Sequence, residues 1–318
     1  MKAIRLIMFS LAVLLTGLLL ALSTTPFFTR SATLDYLSGY RFLYVLLSLP
    51  VVLFFTVLCF RRRSRAIIAL LLCATIALIV NWLEIRAFFY RVDQPLQEKG
   101  HTTSWRLISL NLKGSQASPR EVMSFLAREA PDLIVLLDMN PMAQASFDEL
   151  RETFAHHLSY PELEMEIFSR LPLEAQSVRR VGNTRGDVVL KVDRKLHVVA
   201  CHTYPWRAHG AQGYEWRNQH LQELGPFLRD CPSPVAALGS FHASPWSLPF
   251  KELLEHSRLR DARTGFGPVR THSKVGLFFL LGTPIDHCLV SENLQVRRLR
   301  SGPALGSDHL PLIVDIAF

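Results

Sequence analysis

Three runs without a single charged residue occupy the first third of the chain: Leu6–Leu22, Phe42–Phe60 and Ala66–Leu83, of 17, 19 and 18 residues. A helix rises ~1.5 Å per residue, so each run can cross a hydrocarbon core ~30 Å thick, the shortest with little tilt. In lipid every backbone N–H and C=O must be satisfied within the segment, which leaves the helix as the form for such a run. None of the three has the polar face that a water-soluble bundle would keep toward solvent. The sequence therefore predicts a three-span transmembrane region over residues 1–83.

The basic residues predict its orientation. Lys2 and Arg5 precede the first run, and Arg61, Arg62, Arg63 and Arg65 crowd the short link between the second and third, whereas residues 23–41 hold only Arg30 and Arg41. Basic residues collect on the cytoplasmic side. The N-terminus and the arginine link are thus expected in the cytoplasm, with everything after the third span on its far side, as in a multi-pass bacterial inner-membrane protein. A cleaved signal peptide ending near Ala21-Leu22-Ser23 would leave the rest of the chain on the same side.

Residues 1–98 carry 10 Lys/Arg against 4 Asp/Glu, and residues 99–318 carry 25 against 23, so +6 of the net +8 belongs to the membrane-flanking third. The remainder is nearly neutral and lacks the clustered basic face of a nucleic-acid-binding surface. Nucleic acid is a possible but not a favoured partner; the lipid bilayer and a phosphoester of unspecified class are the expected ones. The five cysteines show no CxxC and no zinc spacing, and read as free thiols.

Residues 84–104 mix charges around Pro95 and Gly100 and read as a connector, with a folded domain over 105–318. There, Trp105–Leu112 reads as a strand. Ser118-Pro119-Arg120-Glu121 has capping-box spacing and opens a helix to about Ala130. Leu133–Leu137 and Val235–Gly239 are continuous apolar runs, the pattern of strands buried on both faces. Asp187–Val192 with Leu196–His202 reads as a hairpin, Trp216–Arg229 and Pro249–Ser257 as helices, and Ile285–Ser291, Leu294–Leu299 and Leu310–Ile316 as closing strands. Helices and strands interleave, the pattern of an α/β fold.

Several strands end in residues suited to a metal or a phosphate: Asn111, Asp138, His202, Asp286-His287 and Asp308-His309. Sites assembled at strand ends are usual in α/β sheets. Amide and carboxylate oxygens suit Mg²⁺ or Mn²⁺ better than zinc. A neighbouring histidine can deprotonate water.

In order and spacing these residues resemble the endonuclease/exonuclease/phosphatase superfamily, of exonuclease III/DNase I-like architecture, over the whole of 105–318; the preceding spans are similar to a membrane-anchored bacterial subgroup. Ser109-Leu110-Asn111-Leu112 resembles the family's first motif. Leu136-Leu137-Asp138 stands where it usually has Leu-Gln-Glu. Phe168-Ser169-Arg170-Leu171-Pro172-Leu173, Cys201-His202-Thr203, Arg217-Asn218-Gln219, Ile285-Asp286-His287 and Gly306-Ser307-Asp308-His309-Leu310-Pro311 resemble later motifs. The resemblance implies a four-layer α/β sandwich and metal-dependent phosphodiester or phosphomonoester hydrolysis, nuclease-like in type. It assigns Asn111, Asp138 and Asp308 to Mg²⁺ or Mn²⁺, and His309, His202 and Asp286 to catalysis.

One motif departs. The family's Gly-Asp-Phe-Asn is here Gly239-Ser240-Phe241-His242. Ser240 is a poor base for aligning water, and His242 is bulkier than Asn and able to carry charge. Two expectations follow: a phosphoesterase in which Ser240 and His242 join the catalytic set, or an impaired relative that binds a phosphorylated ligand or a partner protein.

Overall fold

The computed structural model describes residues 2–28, 30–90, 103–113, 118–139, 147–182, 184–272 and 282–318, without the side chains of residues 2, 5 and 206–209. Three of its helices are long and apolar enough to cross a membrane, spanning Leu6–Phe27, Arg41–Arg61 and Arg65–Phe88 with their terminal turns. We label the N-terminal helices α1 (Lys2–Thr24), α2 (Ala32–Ser38), α3 (Arg41–Arg61) and α4 (Arg65–Ile85). α1, α3 and α4 pack through Leu19, Val51, Phe55, Ala74 and Ala77. The two alanines are small enough for close approach, the usual basis of helix contact where hydrophobic burial offers no drive. At one end Arg41 Nη1 donates to Asn81 Oδ1 at 3.0 Å, and Asn81 Nδ2 donates to Ser23 Oγ at 2.6 Å, tying the three helices together.

Two expectations about this region change. The short helix α2 between the first two spans was not legible. The connector expected from residue 84 begins later: α4 runs to Ile85, a 3₁₀ turn covers Arg86–Phe88, and Phe88 packs edge-on against Trp246 with ring centroids 5.6 Å apart. Ile85 and Phe88 look unpatterned in sequence because their apolar partner lies 160 residues away. Most of the connector, residues 91–102, lies outside the described residues.

The rest of the chain forms two six-stranded sheets. The first has order β11-β12-β1-β2-β4-β3 and the second β5-β6-β7-β8-β10-β9. The strands are β1 (Ser104–Asn111), β2 (Leu133–Leu137), β3 (His156–Tyr160), β4 (Met165–Ser169), β5 (Leu173–Val181), β6 (Arg185–Val192), β7 (Leu196–His202), β8 (Val235–Ser240), β9 (Arg260–Asp261), β10 (Asp286–Val290), β11 (Gln295–Ser301) and β12 (Leu312–Ala317). The helices are α5 (Pro119–Glu129), α6 (Asp148–Thr153), α7 (Trp206–Asp230) and α8 (Leu248–Ser257). This is the DNase I-like four-layer sandwich. Alternate residues divide between layers: Leu133, Val135 and Leu137 enter the core between the sheets, while Ile134 and Leu136 face α5 and α6. In the second sheet Val198, Ala200, Ala236 and Leu238 face inward, and Val199, Cys201 and Ala237 face α7 and α8. Burial on both faces is why these strands read as unbroken apolar runs. Each fully buried Leu or Val contributes ~1.5–3 kcal/mol.

The capping box at α5 forms in part, with Ser118 Oγ accepting from the Glu121 amide at 3.5 Å. α7 begins ten residues earlier than expected and turns at Gly210, whose φ is 59°. Strands β3, β4 and β5 and helix α6 were missed; β3 and β5 lie at sheet edges and are largely polar in sequence. All five cysteines are free.

Candidate active site

Topology brings the strand ends together. The parallel pair β1/β2 and the parallel pair β7/β8 sit side by side in their sheets, with Asn111 beside Leu137 and His202 beside Ser240. Parallel neighbours finish at the same edge, so Asn111, Asp138, His202 and Ser240 share one end of the sandwich. Antiparallel β10 starts there, Asp286 opposite Ser240. The approach to β12 is pinned there too: Ser307 Oγ donates to the Asn111 carbonyl at 2.8 Å and accepts the His309 amide at 3.1 Å. Gly239 has a local necessity. Its φ is 153°, and a Cβ would fall 1.9 Å from the Cys201 carbonyl oxygen.

The centre is a histidine–carboxylate pair. His309 Nδ1 lies 2.9 Å and 3.1 Å from the two Asp286 oxygens, and both residues are buried. Burial alone would raise the Asp286 carboxyl, but His309 and the hydroxyl of Ser240 hold it well below the usual carboxylate range. Burial alone would lower His309; Asp286, then Asp308 and Asp138, reverse this and raise it. With Nδ1 engaged, Nε2 is the nitrogen left to meet water, the arrangement of a general base oriented by an acid. Ser240 Oγ donates to Asp286 and accepts Asn111 Nδ2 at 3.2 Å. The serine therefore fills its position as a bridge between two other site residues.

Of the three residues expected to hold a metal, Asn111 and Asp308 are joined through Lys113, while Asp138 pairs with Arg185; none of these neighbours was announced by the sequence. Asn111 Oδ1 accepts the Lys113 amide at 2.9 Å, closing a local turn. Lys113 Nζ reaches Asp308 Oδ2, and His272 Nε2 lies 3.5 Å from the same oxygen. Asp138 accepts Arg185 Nη2 at 3.0 Å, and Arg185 Nη1 also holds Glu164 at 2.7 Å. Burial, followed by the hydrogen bond with Asp138, raises the Glu164 carboxyl. Asp308 Oδ1 is buried without a hydrogen-bond partner among the described residues. Hard oxygens, one of them unpaired in the interior, fit a divalent cation. His272, Asp308 and His309 also offer ligand atoms within 4.8 Å of one another.

The histidines behave differently from expectation. His242 was expected to be able to carry charge. It is buried, and burial followed by repulsion from His309 drives it well below the usual imidazole range, so it is neutral. Its backbone is left-handed, φ 48°, an uncommon conformation for a non-glycine residue; Asp138 shares it at φ 57°. His202 is likewise driven far down, by burial and then by Arg185. Its Nδ1 lies 3.1 Å from the Leu163 carbonyl and so carries the proton, leaving Nε2 as a buried lone pair without a partner among the described residues. As a neutral ring it accepts rather than donates. To meet an anionic oxygen it must take up a proton, which an approaching anion favours.

The sequence model described as "Endonuclease/Exonuclease/phosphatase family" matches residues 108–309, nearly two thirds of the chain and all of the site. The chain belongs to the endonuclease/exonuclease/phosphatase family. Among curated proteins no sequence matched. Solved structures with this fold include a 3′ phosphatase from Neisseria bound to product DNA hairpin, at 19% identity and TM-score 0.55, covering 66% of this chain and 98% of that one. An AP endonuclease from Archaeoglobus fulgidus aligns at 14% identity and TM-score 0.55, covering 66% and 98%. An endonuclease/exonuclease/phosphatase from Beutenbergia cavernae aligns at 15% identity and TM-score 0.53, covering 67% and 71%. At these identities the likeness concerns the fold.

Within this family frame, sequence reasoning missed Lys113, Glu164, Arg185 and His272. Lys113 lies two residues past Asn111 and could have been suspected. Arg185 and Glu164 come from strand and turn positions with no chemical signature. Arg217, noted only as part of a helix motif, proves structural to the loop: its Nη1 donates to the His242 carbonyl at 2.7 Å.

Proposed function

We propose that this chain is a membrane-anchored phosphoesterase that depends on a divalent metal, Mg²⁺ or Mn²⁺. The observation that carries the reading is the buried Asp286–His309 pair beside an Asp308 oxygen that has no partner among the described residues, at the end where the strands bearing Asn111, His202 and Ser240 finish. Asp308, Asn111 and Asp138 would hold the metal, which when bound supplies charge stabilisation at a phosphoryl oxygen. The chain's own groups do the rest. His309 Nε2 takes the proton of the attacking water, and Asp286 keeps that ring in the required tautomer and stabilises its charged form. Ser240 and Asn111 offer hydrogen bonds to the same pocket. His202, once protonated, and the neutral His242 line its other side. Lys113 and Arg185 place positive charge against Asp308 and Asp138, favouring an anionic substrate; Lys113 must swing away for a cation to take its place.

Solubilised full-length protein with Mg²⁺ or Mn²⁺ should hydrolyse bis(p-nitrophenyl) phosphate, and EDTA should lower that rate at least ~100-fold, with recovery on metal addition. An undiminished rate in EDTA would falsify the metal requirement. The arginine link also supports an extracytoplasmic domain. Alkaline phosphatase fused after residue 98 should be active and a fluorescent protein inserted in residues 61–65 should fluoresce; the reverse pattern overturns the charge argument.

A further inference from the structure

The domain is not hung from its anchor; it is seated on it, and the seat is the rear of the active site. Asp35 of α2 pairs with Arg217, both buried, and the same guanidinium holds the His242 carbonyl. Ser38 Oγ lies 2.6 Å from Ser244 Oγ, two residues beyond His242. Trp246 Nε1 donates to the Glu84 carbonyl at 3.0 Å, Lys251 Nζ meets the Glu84 carboxylate at 2.6 Å, and the Gly267 amide donates to the Phe88 carbonyl at 2.6 Å. The Asp35–Arg217 pair is buried, and losing one partner of such a pair leaves an uncompensated interior charge, so this is a fixed seat.

It also sets a height. Gly39, just before α3 begins, lies against Thr283; a Cβ added there would meet the Thr283 side chain at 2.8 Å. Thr283 is bridged to His272, and His272 to His309. Two bridges at ~4.8 Å each put the catalytic histidine ~10 Å from the residue touching the helix end. A bilayer's polar layer is ~5–8 Å thick on each side of its hydrocarbon core. Even if it runs wholly along the membrane normal, that ~10 Å distance exceeds the layer by only ~2–5 Å, so the catalytic end of the sandwich stands within reach of the headgroups.

We infer that the substrate is an amphiphile: a lipid-linked phosphoester whose phosphate lies in the headgroup layer and reaches the site without leaving the membrane. This rests on the phosphoesterase reading. In the reaction, water adds to phosphorus and its proton passes to His309; the P–O bond to the leaving group breaks with the electron pair going to that oxygen, which takes up a proton from solvent to leave as the alcohol, and His309 returns its proton to solvent.

The test uses two probes with the same scissile bond: the p-nitrophenyl ester of a diacyl phosphatidic acid in phosphatidylcholine nanodiscs, and its deacylated, water-soluble counterpart. Full-length protein reconstituted in those discs with Mg²⁺ or Mn²⁺ should release nitrophenolate from the lipid probe at least ~10-fold faster at equal bulk concentration. Equal rates, or a faster soluble probe, overturn the lipid assignment and leave the phosphoesterase standing. No cleavage of either overturns the phosphoesterase itself and the lipid assignment with it. Phe88→Asp, which puts a charge in the seat far from the chemistry, should cut the lipid rate at least ~5-fold and leave the soluble rate within ~2-fold; an unchanged lipid rate in a folded variant counts against the inference. If both rates fall because folding fails, the Ser38→Cys/Ser244→Cys pair, oxidised to lock the seat, decides. Its lipid preference must persist, and a locked protein that prefers the soluble probe refutes the role of the seated state.

Discussion

Replacing His309 with alanine is expected to lower turnover ~10³–10⁴-fold while metal binding, read by Mn²⁺ titration, stays within a few-fold. The imidazole combines a raised pKa, a tautomer fixed through Nδ1 and a second ring nitrogen not engaged by Asp286, and removal of a residue in this role typically costs that much. Asp286→Asn should come close to the same loss. An amide there can donate to Nδ1, which stabilises the tautomer with its proton on Nε2 and so removes the base. Ser240 would also lose its carboxylate acceptor. If His309→Ala, folded and metal-loaded, keeps more than about a tenth of the wild-type rate, the chemistry lies elsewhere in the pocket.

The second large effect runs upward. Ser240→Asp combined with His242→Asn should raise kcat/KM at least ~10-fold, a change of ~1.4 kcal/mol in transition-state stabilisation. Position 240 is fixed by its pairing with Asp286 and His202 and by the forced geometry of Gly239, so a carboxylate there occupies the same place. Asn111 Nδ2, which now donates to Ser240, would donate to it. Asn at 242 suits the left-handed backbone that histidine now occupies at φ 48°; asparagine visits that region more readily. The geometry also sets a pH dependence. Ser240 Oγ is in hydrogen-bond contact with Asp286, so the new carboxylate and Asp286 would share a proton, with one pKa raised. The gain should therefore be larger at pH 9 than at pH 7, where less of the pair is fully ionised. A folded double variant no faster than wild type at either pH would mean that Ser240 and His242 are not what limits this enzyme.

Lys113 and Arg185 bear on how such an enzyme would work. Each stands against an acid proposed as a metal ligand. Asp308 is held well below the ordinary carboxylate range, burial opposing and the His272 and Lys113 contacts prevailing. An acid kept ionised in the absence of a metal is ready to receive one, and the displaced lysine is then free to meet the substrate's charge.

Much of this protein was written in local pattern. The three apolar runs determined that three helices would be long and apolar enough to span a membrane, because charge-free length is a property of consecutive residues. Leu133–Leu137 and Val235–Gly239 announced buried strands, because a strand covered on both faces has no reason to alternate. The site motifs were legible because they lie at strand ends, where a short run of sequence carries both the strand and its terminal polar residue. What only the tertiary structure decided is where partners come from distant chain. The pairing of Arg185 with Asp138, of Lys113 with Asp308 and of Ser240 with both Asn111 and Asp286 joins residues whose spacing follows no period. The neutrality of His242 is a consequence of burial beside His309, which no reading of Phe241-His242 could supply. The seating of the domain on its anchor through Asp35–Arg217 and Phe88–Trp246 likewise had no local sign. An isolated Asp or Phe near a helix end is ordinary in sequence, and becomes a contact only when the fold brings a buried guanidinium or an indole against it.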